Sequence, residues 1–141
     1  MSGAGQAVSG AGFTFQAPTG WTVKTAPTSA IATRDKDTLV SVTVLPLVKR
    51  YRPALFLRAA RELDRVAADL ARQLGGQVTS SRSVIAAKAR ARQYDIEHAG
   101  LVDRITFVLR GKREYQLTCR WRQSAGEPGA CAQLVSTFDL G

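Results

Sequence analysis

The chain is poor in the side chains on which enzymes most often depend. Its 141 residues include one histidine, two cysteines and one methionine, and lysine plus arginine outnumber aspartate plus glutamate by 20 to 11. A nucleophile–base pair built on histidine would require His98. His98 precedes the predicted turn Ala99-Gly100, where we expect a solvated side chain. We therefore predict no catalytic residue and no enzymatic activity.

Metal and cofactor sites are not expected either. The candidate carboxylate pairs are Asp35 with Asp37 and Asp95 with Glu97, and neither pair has a third ligand nearby in the sequence. The N-terminal stretch GAGQAVSGAG is rich in glycine, but it lacks a preceding strand and the Lys-Ser/Thr step of a phosphate-binding loop. The sequence thus predicts no metal and no cofactor.

The N-terminal residues include few large apolar side chains. No apolar run reaches the roughly eighteen residues of a membrane-spanning helix, and the first residues show neither a basic nor an apolar signal-peptide region. Residues 1–11, MSGAGQAVSGA, favour a flexible leader before a single domain over residues 12–141. Such a leader fits the remnant of a cleaved, lipid-anchored N-terminus, and a native cytosolic tail is the alternative.

The net charge of +9 predicts attraction to polyanions and anionic membrane surfaces. The basic residues are dispersed and lack the aromatic-rich basic face of nucleic-acid binders, so sequence-specific nucleic-acid binding is not expected. If a basic surface binds a partner, the candidate patch is Lys88, Arg90, Arg92, Arg110, Lys112 and Arg113, with Lys49, Arg50 and Arg52 as an extension. The alternative is that these charges only solvate the surface.

Periodicity in the first half predicts strands followed by one long helix. Phe13 and Phe15 share a face of the first strand, which ends at a Pro-Thr-Gly turn before Trp21. Strands are predicted over 29–33 and 39–48, joined by a turn at 35–37, and the second, apolar on both parities, should be covered on both faces. The helix follows Pro53 and ends at Gly75-Gly76. Its apolar stripe comprises Phe56, Ala60, Leu63, Ala67, Leu70 and Leu74.

The second half predicts a meander of strands over 77–85, 88–98, 101–110 and 113–122 and a short helix opening at Pro128. The turn Gly111-Lys112 has glycine where a type II′ hairpin needs it. Within 88–98 the apolar positions change from odd to even numbers, which predicts a β-bulge near Arg92 or Gln93.

The two cysteines lie on apolar faces of neighbouring predicted elements. Cys119 belongs to the alternating strand YQLTCRW, and Cys131 belongs to a helical stripe with Leu134, Val135 and Phe138. Both side chains should point inward, so a disulfide closing a loop of about a dozen residues is one outcome. Two separate buried thiols are the other. A bond would indicate an oxidising compartment.

The element order, with FTFQAPTGW, ARQYDIEHAG, REYQLTCRW and LVSTF at its landmarks, resembles the PsbP-like and Mog-like superfamily over about residues 12–140. The resemblance implies an α+β fold: a single antiparallel sheet of about six strands, with one long helix and a short C-terminal helix packed on it as an α/β/α sandwich. This superfamily includes extrinsic photosystem proteins, Ran-binding Mog proteins, actinobacterial envelope lipoproteins and chaperones for secreted effectors. The Cys119/Cys131 pair is most similar to the secreted, lipoprotein-type members. The resemblance carries no family-wide catalytic residues.

Two functions follow as hypotheses. The first is a non-enzymatic, extracytoplasmic or secreted binding domain of the cell envelope, membrane-anchored through a removed N-terminal lipid signal, with a protein, lipid or anionic polymer as ligand. The alternative is a cytoplasmic adaptor or chaperone that docks an apolar segment of a secreted client on the sheet. Partners in either case are another protein, an envelope component or an anionic membrane surface.

Overall fold

The computed structural model describes residues 5–140. Within this range the chain forms eight β segments and two α-helices, with short 3-10 turns at Pro53–Leu55 and Gln123–Ala125. The elements are β1 Gly5–Gly10, β2 Phe13–Pro18, β3 Thr22–Ala26, β4 Ser29–Asp35, β5 Thr38–Tyr51, α1 Phe56–Gln73, β6 Gln77–Ala86, β7 Ala89–His98, β8 Leu101–Arg122 and α2 Gly129–Thr137.

The long segment β8 folds back on itself in its middle. A straight strand of its 22 residues would be about 70 Å long. Its ends are nevertheless adjacent, because the amide of Gln123 donates a 2.9 Å hydrogen bond to the carbonyl of Gly100. The turn lies at Gly111, whose φ of +60° suits the first central position of a type II′ turn. The predicted hairpin is therefore confirmed, and β8 contributes two neighbouring arms.

The main sheet is antiparallel, with the order β3-β4-β5-β8-β7-β6. β7 pairs with the first arm of β8, and β5 pairs with the second arm. Two meanders, β3 to β5 and β6 to β8, thus meet at the β5–β8 pair, and α1 carries the chain from one to the other. The predicted α+β class, with one long and one short helix on an antiparallel sheet, is confirmed.

One face of the sheet packs against the β1–β2 hairpin and α2. Alternate residues of β5 and of the second arm of β8, such as Val42 and Leu117, are fully buried there. Phe13 and Phe15 of β2 and Leu134 of α2 close this core from the other side. The period-two pattern of the strands and the helical spacing in α2 therefore bury one continuous core.

The other face is covered by α1, which packs over β6 and β7. Leu63 and Ala67 are buried against Tyr94 and Ile96 of β7. The helix ends as predicted, because Gly75 has a φ of +73° and the amide after it bonds to the carbonyl of Ala71. The predicted stripe of α1 is thus its packed face, with Leu74 more exposed at the end.

Three predictions about the β segments are wrong. Residues 5–10 of the expected leader form β1, in which Val8 is 2% exposed, because β2 offers an adjacent strand edge; residues 1–4 lie outside the described range. No bulge occurs at Arg92 or Gln93. Odd- and even-numbered positions of β7 are both apolar because both faces of this strand are covered. The irregularity in its pairing with β6 lies instead at Val78/Ser80 of β6.

The third error concerns β5. Only its even-numbered residues from Val40 to Val44 join the core, while Leu39, Ser41 and Thr43 remain half-buried on the opposite face. The reason is the position of α1, which lies over β6 and β7 and leaves the face of β3 to β5 open.

The structure contains the Cys119–Cys131 disulfide, with a Cα–Cα distance of 5.4 Å. It joins the second arm of β8 to α2 inside the first core. Both cysteines are buried, so the bond fixes α2 on the sheet.

The packing of α1 predicts unequal effects of two neighbouring substitutions. Leu63→Ala should lower the free energy of unfolding by about 2–5 kcal/mol because it leaves a cavity under the helix. Arg65→Ala, at an exposed position of the same helix, should cost less than about 1 kcal/mol. Urea unfolding of both variants measures the order, and a larger loss for Arg65→Ala would contradict this packing.

The disulfide predicts a redox-dependent stability. Reduction should lower the free energy of unfolding by about 3 kcal/mol, the loop-entropy value for a short loop; here the separation is 12 residues. Urea titrations with and without reductant measure the difference, and a Cys119→Ala/Cys131→Ala variant should show no response to reductant. Free alkylation of both cysteines in unfolded, unreduced protein would refute the bond.

Candidate functional site

A cleft of about 580 Å³ opens at the end of the molecule where α1 begins. It lies between the end of β5, the turn joining β6 to β7, the central turn of β8 and the C-terminal segment. Its walls are apolar and include Phe56, Val108 and Leu140. Lys88, Arg90 and Arg110 also line it, so the structure brings three members of the predicted basic patch to one cavity.

Lys88 reaches the cleft through an unusual turn. Ala86 pairs with Ala89, which leaves a two-residue loop in which Ala87 and Lys88 have φ values of +50° and +63°. Two positive φ angles define a type I′ turn, which twists with the strands but favours glycine and asparagine. For other residues this conformation costs about 1–2 kcal/mol each. This strained turn lies at the rim of the cleft.

Arg90 is held by stacking rather than by a carboxylate. Its guanidinium carbon lies 4.1 Å from the centre of the Phe56 ring, a cation–π contact that keeps the charge and packs the side chain. Tyr51 lies beside it in the cleft, and burial raises the pKa of the Tyr51 phenol while the nearby Arg90 charge opposes the rise. The phenol therefore remains a neutral hydrogen-bonding group at physiological pH.

Among residues 5–140, no ion pair includes a residue that lines the cleft. The arginines that pair with carboxylates are Arg34, Arg72, Arg82, Arg92, Arg104, Arg120 and Arg122. Lys88, Arg90 and Arg110 form no ion pair within residues 5–140. The cleft thus carries positive charge that this part of the chain does not neutralise.

The remaining patch residues are not in the cleft. Lys112 and Arg113 follow Gly111 at the turn of β8 and line a separate, shallow hollow of about 300 Å³ with Leu45 and Pro46. Arg92 lies on the helix-covered face, where its guanidinium donates to Asp64 of α1 at 3.0 Å. The predicted patch is therefore divided, and Arg92 serves the helix–sheet contact.

Asp64 also accepts a hydrogen bond from the hydroxyl of Tyr94, which is buried under α1. Burial, followed by the hydrogen bond to the Asp64 carboxylate, raises the pKa of Tyr94 to about 12. Asp64 of α1 thus bonds to both Tyr94 and Arg92 of β7. These polar contacts add to the apolar contacts between the two elements.

A second polar cluster at the opposite end of the sheet was not predicted. Arg120 donates hydrogen bonds of 2.6 and 2.8 Å to the two carboxylate oxygens of Asp103, and these bonds raise the pKa of Arg120. His98 Nε2 lies 3.2 Å from Asp103 but is not aligned as a hydrogen bond. The His98 side chain is 7% exposed, so the expected solvated position is wrong. Pairing across the β8 hairpin explains the cluster, because Asp103 lies opposite Arg120.

Between residues 5 and 140, no three histidine, cysteine or carboxylate side chains gather as metal ligands do. In the same range, neither helix combines the length and apolar character needed to cross a bilayer.

Neither a protein-family model nor a curated protein matches this sequence. Solved structures match in fold. Cyanobacterial PsbP, CyanoP of Synechocystis, superposes with a TM-score of 0.65 at 11% identity, covering 98% of this chain and 95% of that chain. The fold is PsbP-like. A protein of Bacteroides thetaiotaomicron gives a TM-score of 0.58 at 10% identity, covering 99% of this chain and 48% of its own. At such identities the PsbP-like similarity concerns the fold alone.

The Tyr94 contact predicts a loss of stability in base. The unfolded chain releases this proton near the ordinary pKa of 10, whereas the folded chain retains it to about 12. The contribution is complete below pH 10 and is lost as the pH rises toward 12. Urea unfolding should show wild type losing stability relative to Tyr94→Phe across this range. A difference between the two proteins that stays constant with pH would be inconsistent with the buried phenol.

Proposed function

We propose that this PsbP-like chain is a non-enzymatic, extracytoplasmic binding domain of the cell envelope that holds an anionic amphiphile in the cleft beside Phe56. A PsbP-like fold is compatible with a non-catalytic accessory role. The cleft supports the ligand class, and the disulfide supports the location.

The observation that carries the proposal is an apolar cleft bordered by cations that form no ion pair with residues 5–140. The cations that line it are Lys88, Arg90 and Arg110. Its apolar wall includes Phe56, Val108 and Leu140. A volume of about 580 Å³ lies in the range of small-molecule sites. An inorganic anion would pair with the cations but would leave the apolar wall exposed to water. A ligand with an acidic head and an apolar body satisfies both.

Conformational strain supports the same site. The positive φ angles of Ala87 and Lys88 place a cation at the rim at an energetic cost. Strained backbone of this kind is often found at functional sites, and two of the three non-glycine residues with positive φ among residues 5–140 lie in this turn; the third is Ala99 in the β7–β8 turn. Arg90, stacked on Phe56, is already ordered, so less side-chain entropy is lost when a ligand binds.

Two features support a non-enzymatic role. Burial raises the pKa of Tyr51, the phenol that lines the cleft, which makes it a poor base or nucleophile at physiological pH. His98 lies in the polar cluster with Asp103 and not among the cleft residues.

The proposed location rests on the buried Cys119–Cys131 bond, since disulfides persist mainly in oxidising compartments. A lipid-anchored envelope protein of the actinobacterial type is the form we favour. The cytoplasmic adaptor is the alternative, and its client would use the open face of β3 to β5. That face carries Ser41, Thr43 and Thr118 beside Ile31 and Leu39, so it offers less continuous apolar surface than the cleft.

Calorimetric titration with decanoate tests the ligand class, with decanol as the uncharged comparison. Wild type should bind decanoate in preference to decanol. Arg90→Gln/Arg110→Gln should weaken decanoate binding by about tenfold or more, because charge-assisted hydrogen bonds contribute about 1.5–3 kcal/mol each.

The matched control is Arg61→Gln/Arg65→Gln, which removes two exposed arginines of α1 that form no ion pair among the described residues. This variant has the same net charge as the cleft variant and should bind decanoate like wild type. Equal weakening in both variants would reduce the effect to overall charge and would contradict the cleft as the site.

A further inference from the structure

The most exposed large apolar residues of the described range lie in segments that also contribute to the cleft or pair with a segment that does. Val48 is 94% exposed, Leu57 67% and Ile85 65%. Leu57 follows the cleft residue Phe56, and Ile85 pairs with Arg90 across the β6–β7 hairpin. Val48 lies in β5, three residues before Tyr51. Apolar groups that the fold does not bury therefore gather at one end of the molecule.

Cations flank these apolar groups. Lys49, Arg50 and Arg58 line a hollow of about 200 Å³ with Leu47 and Leu55. This hollow adjoins the cleft, because Tyr51 and Leu109 line both. Like the cleft cations, these three side chains make no ion pair with any residue from 5 to 140. Glu62 is the acidic residue that lines the hollow.

At the opposite end of the sheet, several arginines are paired with carboxylates. There Arg122 pairs with Asp37 of the β4–β5 turn, and Arg120 pairs with Asp103 near the β7–β8 turn. Arg72 pairs with Asp69 in the last turn of α1. These three arginines are thus paired, whereas Lys88, Arg90 and Arg110 at the cleft form no ion pair with residues 5–140.

We infer that the cleft end is a docking face for an anionic lipid bilayer. Exposed apolar side chains set among cations match an acidic membrane surface, which offers negative headgroups above a hydrocarbon layer. Val48, Leu57 and Ile85 enter the interface, while the long basic side chains remain at the headgroups. A nucleic acid would use the cations but leave these apolar side chains in water.

The inference rests on the proposed function in one respect: the cleft opens on the same surface, so an anionic amphiphile passes between bilayer and cleft without crossing bulk water. The docking itself depends only on the exposed apolar and basic side chains.

Sedimentation with phosphatidylcholine vesicles, with and without phosphatidylglycerol, tests the docking face. Wild type should bind only the vesicles that contain phosphatidylglycerol, and added salt should weaken the binding. Val48→Asp/Leu57→Asp should reduce this binding by about tenfold or more. The matched control, Val66→Asp/Leu74→Asp, changes two exposed apolar residues of α1 and its C-terminal end and should bind more tightly than the first variant.

Fluorescence locates the contact independently. The Val48→Trp variant should show a blue-shifted emission when phosphatidylglycerol vesicles are added, because the introduced indole leaves water. Equal binding to both kinds of vesicle, equal losses in the two aspartate variants, or an emission from the Val48→Trp variant that does not move would each overturn the inference.

Decanoate titration separates this inference from the proposed function. Val48→Asp/Leu57→Asp should retain decanoate binding, since neither side chain lines the cleft. Vesicle binding without decanoate binding would support the docking face and refute the cleft. Decanoate binding without vesicle binding would refute the docking face and leave the cleft supported.

Discussion

The hairpin formed by β8 is the constraint on which the rest of the structure depends. Its first arm pairs with β7 and its second arm pairs with β5, so it joins the two meanders into one sheet. The second arm also carries Cys119, which holds α2. The turn at Gly111 reaches the cleft, while the two ends of the hairpin meet at Gly100 and Gln123 on the other side. The same hairpin therefore organises both cores and one wall of the site.

The distribution of charge follows from that topology. Arg120 and Asp103 neutralise each other because the two arms place them opposite one another, and burial makes an unpaired charge there costly. At the other end, Arg110 precedes the turn and lines the apolar cleft, where it forms no ion pair with residues 5–140. Among residues 5–140, the cations that line the cleft are therefore unpaired, whereas several arginines at the other end of the sheet are paired.

Sequence periodicity predicted the elements whose packing is local or one-sided. The stripe of α1, the Gly75 ending, the Gly111 turn and the inward cysteines all follow from spacing along a single segment. Periodicity wrongly predicted a bulge in β7, because a strand that is covered on both faces has apolar residues at both odd and even positions. It also missed β1, whose small residues are ordered by pairing with β2 and not by their own composition.

The candidate site could be predicted only in part. Charge, position at a hairpin tip and strand parity predict a patch that includes Lys88, Arg90 and Arg110, and the structure brings these three to one cleft. Their apolar wall comes from segments far apart in the sequence, including Phe56 and Leu140, so no local pattern could reveal it. Arg90 and Arg92 share a strand parity, yet Phe56 stacks on one and Asp64 binds the other. These different environments depend on the register between α1 and β7.

Hydrogen exchange with and without decanoate tests the central claim most directly, because it locates the ligand without altering a residue. Binding in the cleft should slow exchange at backbone amides near Tyr51, Arg90 and Arg110, while amides of the β4–β5 turn keep their rates. Slower exchange along the open face of β3 to β5, with no change around the cleft, would contradict the account and would place the ligand where the adaptor hypothesis expects a client.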